Sequence, residues 1–294
     1  MSNNRFRIAA LAAFLGLAAA SLLAQGRGAG RGPERPDPIE KARPLKPDLY
    51  LITGGGANTL VRVTPQGLII VDTKNPGGDR GSRLMEEIKA VSNLPVKYVF
   101  NTHHHPDHVG NNQVFLDAGA TIIDAEALKT HMASDPRTKD IPGLATQTFS
   151  ADYVLRFGGA EVDAHAFGRG HTGDDTMIYF PDLKVVMVSD QMTDGSPVVD
   201  YANGGSLLDW NKSLDGVLKL DFEIAIAGRG EPKTRADVEA FRNKIATLIS
   251  RARDAIKGGA TRETFPSMLK IDDLGWTLNP NLLGSLYDEM SPKI

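Results

Sequence analysis

The chain has 294 residues, 41% of them hydrophobic, with 33 Lys and Arg against 36 Asp and Glu and a formal net charge of −3. This length and apolar content can bury a sizeable core in one large or two modest domains, which excludes a disordered chain. The slightly acidic balance gives no sign of a nucleic-acid partner, and with no cysteine there is no disulfide and no lipid acceptor, so every soft metal ligand is a histidine.

Residues 1–24 carry Arg5 and Arg7, then an alanine- and leucine-rich apolar stretch with no acid. This pattern is that of a secretory signal peptide, and small residues at Ala18, Ala20 and Ala24 suit cleavage. The stretch is short of the roughly 20 residues a spanning helix needs. The expected mature protein is exported, periplasmic or secreted, with no stable membrane anchor. Residues 25–47 are rich in Gly, Pro and Arg; their apolar surface is too small to offset ordering entropy, so they read as a flexible leader. Residues 48–258 read as one domain and 259–294 as a polar, irregular C-terminal extension with one helix near 281–289.

Two apolar runs, 57–63 and 67–72, flank Thr64-Pro65-Gln66 and predict a hairpin that ends at Asp72. Leu84, Met85, Ile88 and Val91 at helical spacing predict an amphipathic helix over 82–91. Residues 96–100 read as a buried strand that leads through Asn101 and Thr102 into His103-His104-His105-Pro106-Asp107-His108. If strand geometry persists to residue 105, His103 and His105 point to one side and His104 points away. Pro106 then turns the chain and brings Asp107 and His108 to a neighbouring position. Such a cluster suits one ion held by nitrogen beside another held partly by carboxylate, and imidazole-rich ligation favours zinc.

Farther along, helices are expected over 111–117 and 125–132, around a strand at 121–123. His131 reads as a helix C-terminal residue facing the dipole, and 134–147, with Pro136, Pro142 and Gly143, as a loop bordering the pocket. Strands 153–157 and 160–167 pair across Gly158-Gly159, with His165 a packed or edge residue. A second hairpin, 177–180 and 184–188, leads to Asp190. A helix over 207–220 packs Trp210, a strand follows at 224–227, and a long helix runs over 233–256 behind Thr234.

The run H-x-H-x-D-H after a strand resembles the motif of the metallo-β-lactamase-fold hydrolases. Gly170-His171-Thr172-Gly173-Asp174 resembles the loop that supplies the third histidine of the first metal, and Asp190 stands where many members carry an aspartate bridging both metals. Asp72 resembles the aspartate beneath the metal loop, a place from which it would orient a ligand histidine; an ordinary loop cap is the alternative. Residues 225–232 resemble the last metal loop, proline-glycine-histidine-glycine, with Arg229 in the histidine's place. The resemblance runs from about residue 50 to about residue 244 and implies a four-layer αββα sandwich. By themselves the elements indicate only α/β or α+β.

A site of His103, His105 and His171 leaves one tetrahedral position for water, whose pKa zinc lowers to about 7. Asp107 would orient or deprotonate that water and, with His108 and Asp190, could hold a second ion. Arg229 has no acceptor lone pair and cannot be a ligand. It either supplies a fixed positive charge that pairs with Asp107 or Asp190 in place of that ion, or binds a substrate carboxylate or phosphate, or leaves the second ion to water. The expected function is an exported zinc hydrolase attacking the carbonyl of a small molecule, a cyclic amide or lactone. Thioester or other ester hydrolysis is an alternative that loses ground for lack of a helical substrate domain after residue 260; a metal-binding protein with little turnover is another.

Overall fold

The structure, a computed structural model, describes residues 37–291. The stretch read as a signal peptide and the start of the expected leader lie outside the described residues. Among those described, no helix is long and apolar enough to cross a membrane.

In chain order the elements are β1 (Arg43–Lys46), β2 (Leu49–Ile52), β3 (Thr59–Thr64), β4 (Gly67–Val71), α1 (Arg80–Val91), β5 (Val96–Phe100), α2 (Pro106–Val109), α3 (Asn112–Asp117), β6 (Thr121–Ala125), α4 (Glu126–Ser134) and β7 (Gln147–Phe149). There follow β8 (Asp152–Phe157), β9 (Ala160–His165), β10 (Met177–Phe180), β11 (Val185–Ser189), α5 (Leu207–Val217), β12 (Ile224–Ala227), β13 (Lys233–Thr234), α6 (Arg235–Lys257), α7 (Phe265–Met268) and α8 (Pro280–Met290). The first seven strands form one sheet in sequence order, and the other six a second sheet in the order β13-β12-β11-β10-β9-β8.

Strand periodicity accounts for the layering. Side chains alternate between the faces of a strand, and in β4 Ile69 and Val71 join a core shared by both sheets while Leu68 and Ile70 meet Leu84 and Ile88 of α1 and Phe115 of α3. In β11 Val185 and Met187 enter the shared core, whereas Val186 and Val188 pack against α5 and α6 through Trp210, Leu214, Phe241 and Ile245. Both strands are apolar on both faces because both are covered. The result is helix, sheet, sheet, helix, the αββα sandwich.

Two expectations are corrected. The leader does not stay irregular to residue 47: β1 pairs antiparallel with β2, since the sheet edge next to Leu49–Ile52 offers backbone partners that offset the ordering cost. Residues 259–291 are more than a polar tail, because Phe265, Leu274, Trp276, Leu282 and Leu286 are buried in the core of α5 and α6. Their apolar residues are spread over short helices and turns, so no single period reveals them. The strand before the histidines runs over Val96–Phe100 as expected, and its geometry does not persist to residue 105.

Parallel pairing of β4, β5 and β6, and of β11 with β12, brings the C-terminal ends of these strands to one edge of the sandwich. Open parallel sheets bind ligands at such edges. Asp124, near the end of β6, is fully buried; its Oδ1 accepts the Asn101 backbone N–H at 2.9 Å while Oδ2 has no partner. Burial raises its pKa well above the ordinary 3.8. The folded chain therefore binds a proton that the unfolded chain releases, and stability falls as pH rises above the ordinary value. We expect Asp124→Asn to raise the melting temperature at pH 8, by the equivalent of about 1 kcal/mol or more, and to change little at pH 4. Thermal scans of both proteins at the two pH values check this.

Candidate metal site

The histidine loop owes its shape to hydrogen bonds instead of a continuing strand. Asp72, directly after β4, accepts the Thr102 N–H through Oδ1 (2.8 Å) and the Thr102 hydroxyl through Oδ2 (2.8 Å), and Thr102 O accepts from the Thr176 N–H (2.8 Å). Pro106 does turn the chain, as the first residue of α2. Past α2, Gly110 donates to Lys74 O, and a Cβ there would strike the backbone of Lys74 and Pro76. Asp72 and Ser189, at the ends of β4 and β11, have φ of 63° and 51°. Left-handed conformations are uncommon for non-glycine residues and cluster at functional sites.

His103, His105 and His171 come together, with ligand atoms within 4.8 Å of one another. His103 Nε2 is buried without a hydrogen-bond partner. His105 Nδ1 lies 3.0 Å from His171 Nε2, and their other nitrogens are committed: His105 Nε2 is 2.9 Å from Asp200 Oδ2, and His171 Nδ1 is 2.6 Å from Val198 O. Outer partners of this kind fix ring orientation and tautomer in metal sites. Burial, and the neighbouring His108, His105 and His171, hold the His103 pKa well below its ordinary value; burial brings His105 down to about 4, against the pull of Asp200. This keeps His103 and His105 neutral, as ligation requires.

His104 points away, as alternation anticipated. It is fully buried, with Nδ1 3.0 Å from Asp174 and Nε2 3.2 Å from Asp135. With both nitrogens engaged it has none to offer an ion. Although His104, His131 and Asp174 lie close enough to count as a ligand group, they read as a polar cluster in which both rings face Asp174. His131 near the end of α4 is 3.6 Å from Asp174, which raises its pKa. His165 ends β9, paired between β8 and β10, 3.0 Å from Asp152 and stacked on Phe167, outside the site.

The remaining candidates form the second half of the site. His108 Nδ1 meets Asp72 Oδ2 at 2.7 Å, while its buried Nε2 faces Asp107 Oδ2 at 3.6 Å and Asp190 Oδ1 at 3.7 Å. Burial would lower the His108 pKa, but Asp72, Asp107 and Asp190 raise it to about 9. Burial works to raise both site carboxylates, yet His108 and Arg229 hold Asp107, and His108, His171 and Arg229 hold Asp190, below the ordinary value. The Arg229 guanidinium contacts Asp107 Oδ2 and lies 3.4 Å from Asp190 Oδ2.

Sequence reading missed several supporting residues. Asp200 accepts from Asn203 (2.8 Å) and Arg137, and Arg137 also pairs with Asp135; the loop after α4 thus braces His105 from outside. Lys74 is fully buried, donating to Ile52 O (2.7 Å) and Ala57 O (2.6 Å), and burial lowers its pKa to about 7. A lysine inside the otherwise polar run after Asp72 carries no local signal of burial. Asp174 and Asp175, two adjacent acids after His171-Thr172-Gly173, are the visible hint of a polar cluster.

Comparison with known proteins accords with this geometry. The family model of the metallo-beta-lactamase superfamily matches residues 52–229. Metallo-beta-lactamase IND-1 of Chryseobacterium indologenes is 30% identical over 228 residues, covering 74% of this chain and 82% of its own. A linear primary-alkylsulfatase of a Pseudomonas species is 24% identical over 65% of this chain, and this chain spans 44% of that protein. Among solved structures, the DIM-1 metallo-beta-lactamase aligns with a TM-score of 0.60 at 19% identity, over 71% of this chain and 99% of its own. The sec-alkylsulfatase Pisa1 from Pseudomonas sp. aligns with 0.69 at 16%, over 85% and 50%. At those identities the two structures speak for the fold.

Proposed function

The chain belongs to the metallo-beta-lactamase superfamily, and on that premise we propose that it is an exported zinc-dependent hydrolase that opens a cyclic amide or lactone of a small molecule. One observation carries the reading: three imidazoles turn a nitrogen to one point, one of them buried and unpaired, while the outer nitrogens of the other two are held by Asp200 and Val198. A buried polar atom without a partner is costly, and an ion among the three nitrogens removes that cost. Three-histidine donor sets suit zinc.

Zinc bound by His103, His105 and His171 would supply Lewis acidity toward a carbonyl oxygen and a water of pKa about 7. The chain's own groups do the rest. Asp107, kept ionised by His108 and Arg229 and 15% exposed at its side chain, accepts a hydrogen bond from water and orients it. His108 and Arg229 give fixed positive charge beside the reacting centre, where negative charge develops on attack. Asp200, braced by Arg137 and Asn203, keeps His105 in register. Export is supported by Arg5, Arg7 and the apolar residues after them.

The test is turnover of nitrocefin, a lactone and a thioester by the purified mature protein, before and after chelation. The expected result is β-lactam or lactone hydrolysis that chelator removes and added zinc restores. Hydrolysis unaffected by chelator, or of the thioester alone, would overturn the assignment.

A further inference from the structure

Two potential ligand groups overlap in the site: His103, His105 and His171 form one, and His103, His108 and Asp190 the other. They share His103, whose Nδ1 sits 3.3 Å from the Thr102 hydroxyl and whose Nε2 is the nitrogen left over. One nitrogen serves one group. Once His103 is committed to the three-histidine set, a second ion is left with His108, Asp190 and Asp107. Both of those carboxylates are already engaged by a cation, the Arg229 guanidinium, through Asp107 Oδ2 and Asp190 Oδ2.

The engagement is built into the backbone. Asn58 donates through its side chain to Ala227 O (3.0 Å) and Gly230 O (3.0 Å) and through its N–H to Gly228 O (2.7 Å), clamping the loop on both sides of Arg229. The next residue back, Ala57, donates to Asp107 O (3.1 Å), so one segment fixes both ends of the Arg229–Asp107 pair. Gly228 lies so close to Asp190 that a Cβ would overlap its carboxylate. A guanidinium keeps its charge at every working pH and donates in a fixed fork. A dication between the same carboxylates would meet that charge at contact distance, where repulsion is strong even at an effective dielectric constant of about 20.

We propose that the protein holds one metal ion per chain, at His103, His105 and His171, and that the Arg229 guanidinium, paired with Asp107 and Asp190, takes the place of a second. This rests on the zinc-site reading above. The loop after β12 would then serve as a permanent internal counter-ion, with a charge of +1 where an ion would bring +2.

The experiment is native mass spectrometry of the mature protein equilibrated with excess zinc and then exchanged into volatile buffer, alongside Arg229→His and Arg229→Lys. One zinc in the parent, two in Arg229→His and one in Arg229→Lys is the expected pattern. Two zinc ions in the parent would overturn the inference and leave the hydrolase reading standing. No zinc in a parent that retains its native circular dichroism would instead remove the three-histidine site itself. A single zinc in a folded Arg229→His would show that the guanidinium is not what excludes the second ion. Should that variant fail to fold, the parent and the lysine variant still decide the number.

Discussion

Replacing His171 with alanine should leave a folded protein that no longer retains zinc and no longer turns over substrate. His171 lies in the loop after β9, outside the regular elements that build the three apolar cores. Its loss removes one ring, its bond to Val198 O and its contact with His105 Nδ1 and opens no cavity among the sheets. The two remaining imidazoles cannot complete a tetrahedral site. Losing an outer partner of a ligand typically costs about 10- to 100-fold in metal affinity or activity, and losing a ligand outright should exceed that. Metal content after dialysis, measured beside thermal unfolding, separates the two effects. Stoichiometric zinc in the folded variant would mean that the ion sits elsewhere, and the assignment of His103 and His105 would go with it.

How far the site could be read from the residues depends on the range of the interactions involved. The histidine loop was legible because a short apolar strand and a dense run of ligand types are local features, and Asp190 because it closes a five-residue apolar strand. The two sheets could be anticipated from period-two patterns and glycine-marked turns. The braces around the site could not. His105 and Asp200 are 95 residues apart, Arg137 and Asp200 are 63 apart, and His104 reaches Asp174 across 70; nothing in the spacing of such residues announces that they will meet. Even the convergence of His103 and His105 has a cause other than the expected one. Alternation along a strand gave the right facing, yet the strand ends at Phe100, and it is Asp72, Asp124 and Thr176 that hold the loop. Arg229 was visible as a departure from a pattern, whereas its two carboxylate partners at once needed the fold.

Asp72 is the residue whose substitution should best separate folding from chemistry. It is fully buried and accepts three hydrogen bonds, from the Thr102 N–H, the Thr102 hydroxyl and His108 Nδ1, in a left-handed backbone conformation. Asp72→Ala removes the partner of a buried ion pair, a change that costs about 3–5 kcal/mol, so that variant should lose stability and activity together. Asp72→Asn is the sharper probe. Asparagine tolerates the left-handed conformation, and its carbonyl oxygen can still accept from the Thr102 N–H, so its stability cost should be smaller than that of alanine although both remove the charge facing His108. Its amide nitrogen, however, presents donors to His108 Nδ1 where the carboxylate presented an acceptor. His108 must then turn its ring or give up its Nδ1 proton and with it its charge, and either change alters what it offers Asp107 and Asp190. We expect a loss of activity of about 10- to 100-fold in a folded protein that melts above Asp72→Ala. Unchanged turnover in Asp72→Asn would reduce Asp72 to a cap on the loop after β4, because a cap needs the acceptor for Thr102 and nothing from His108.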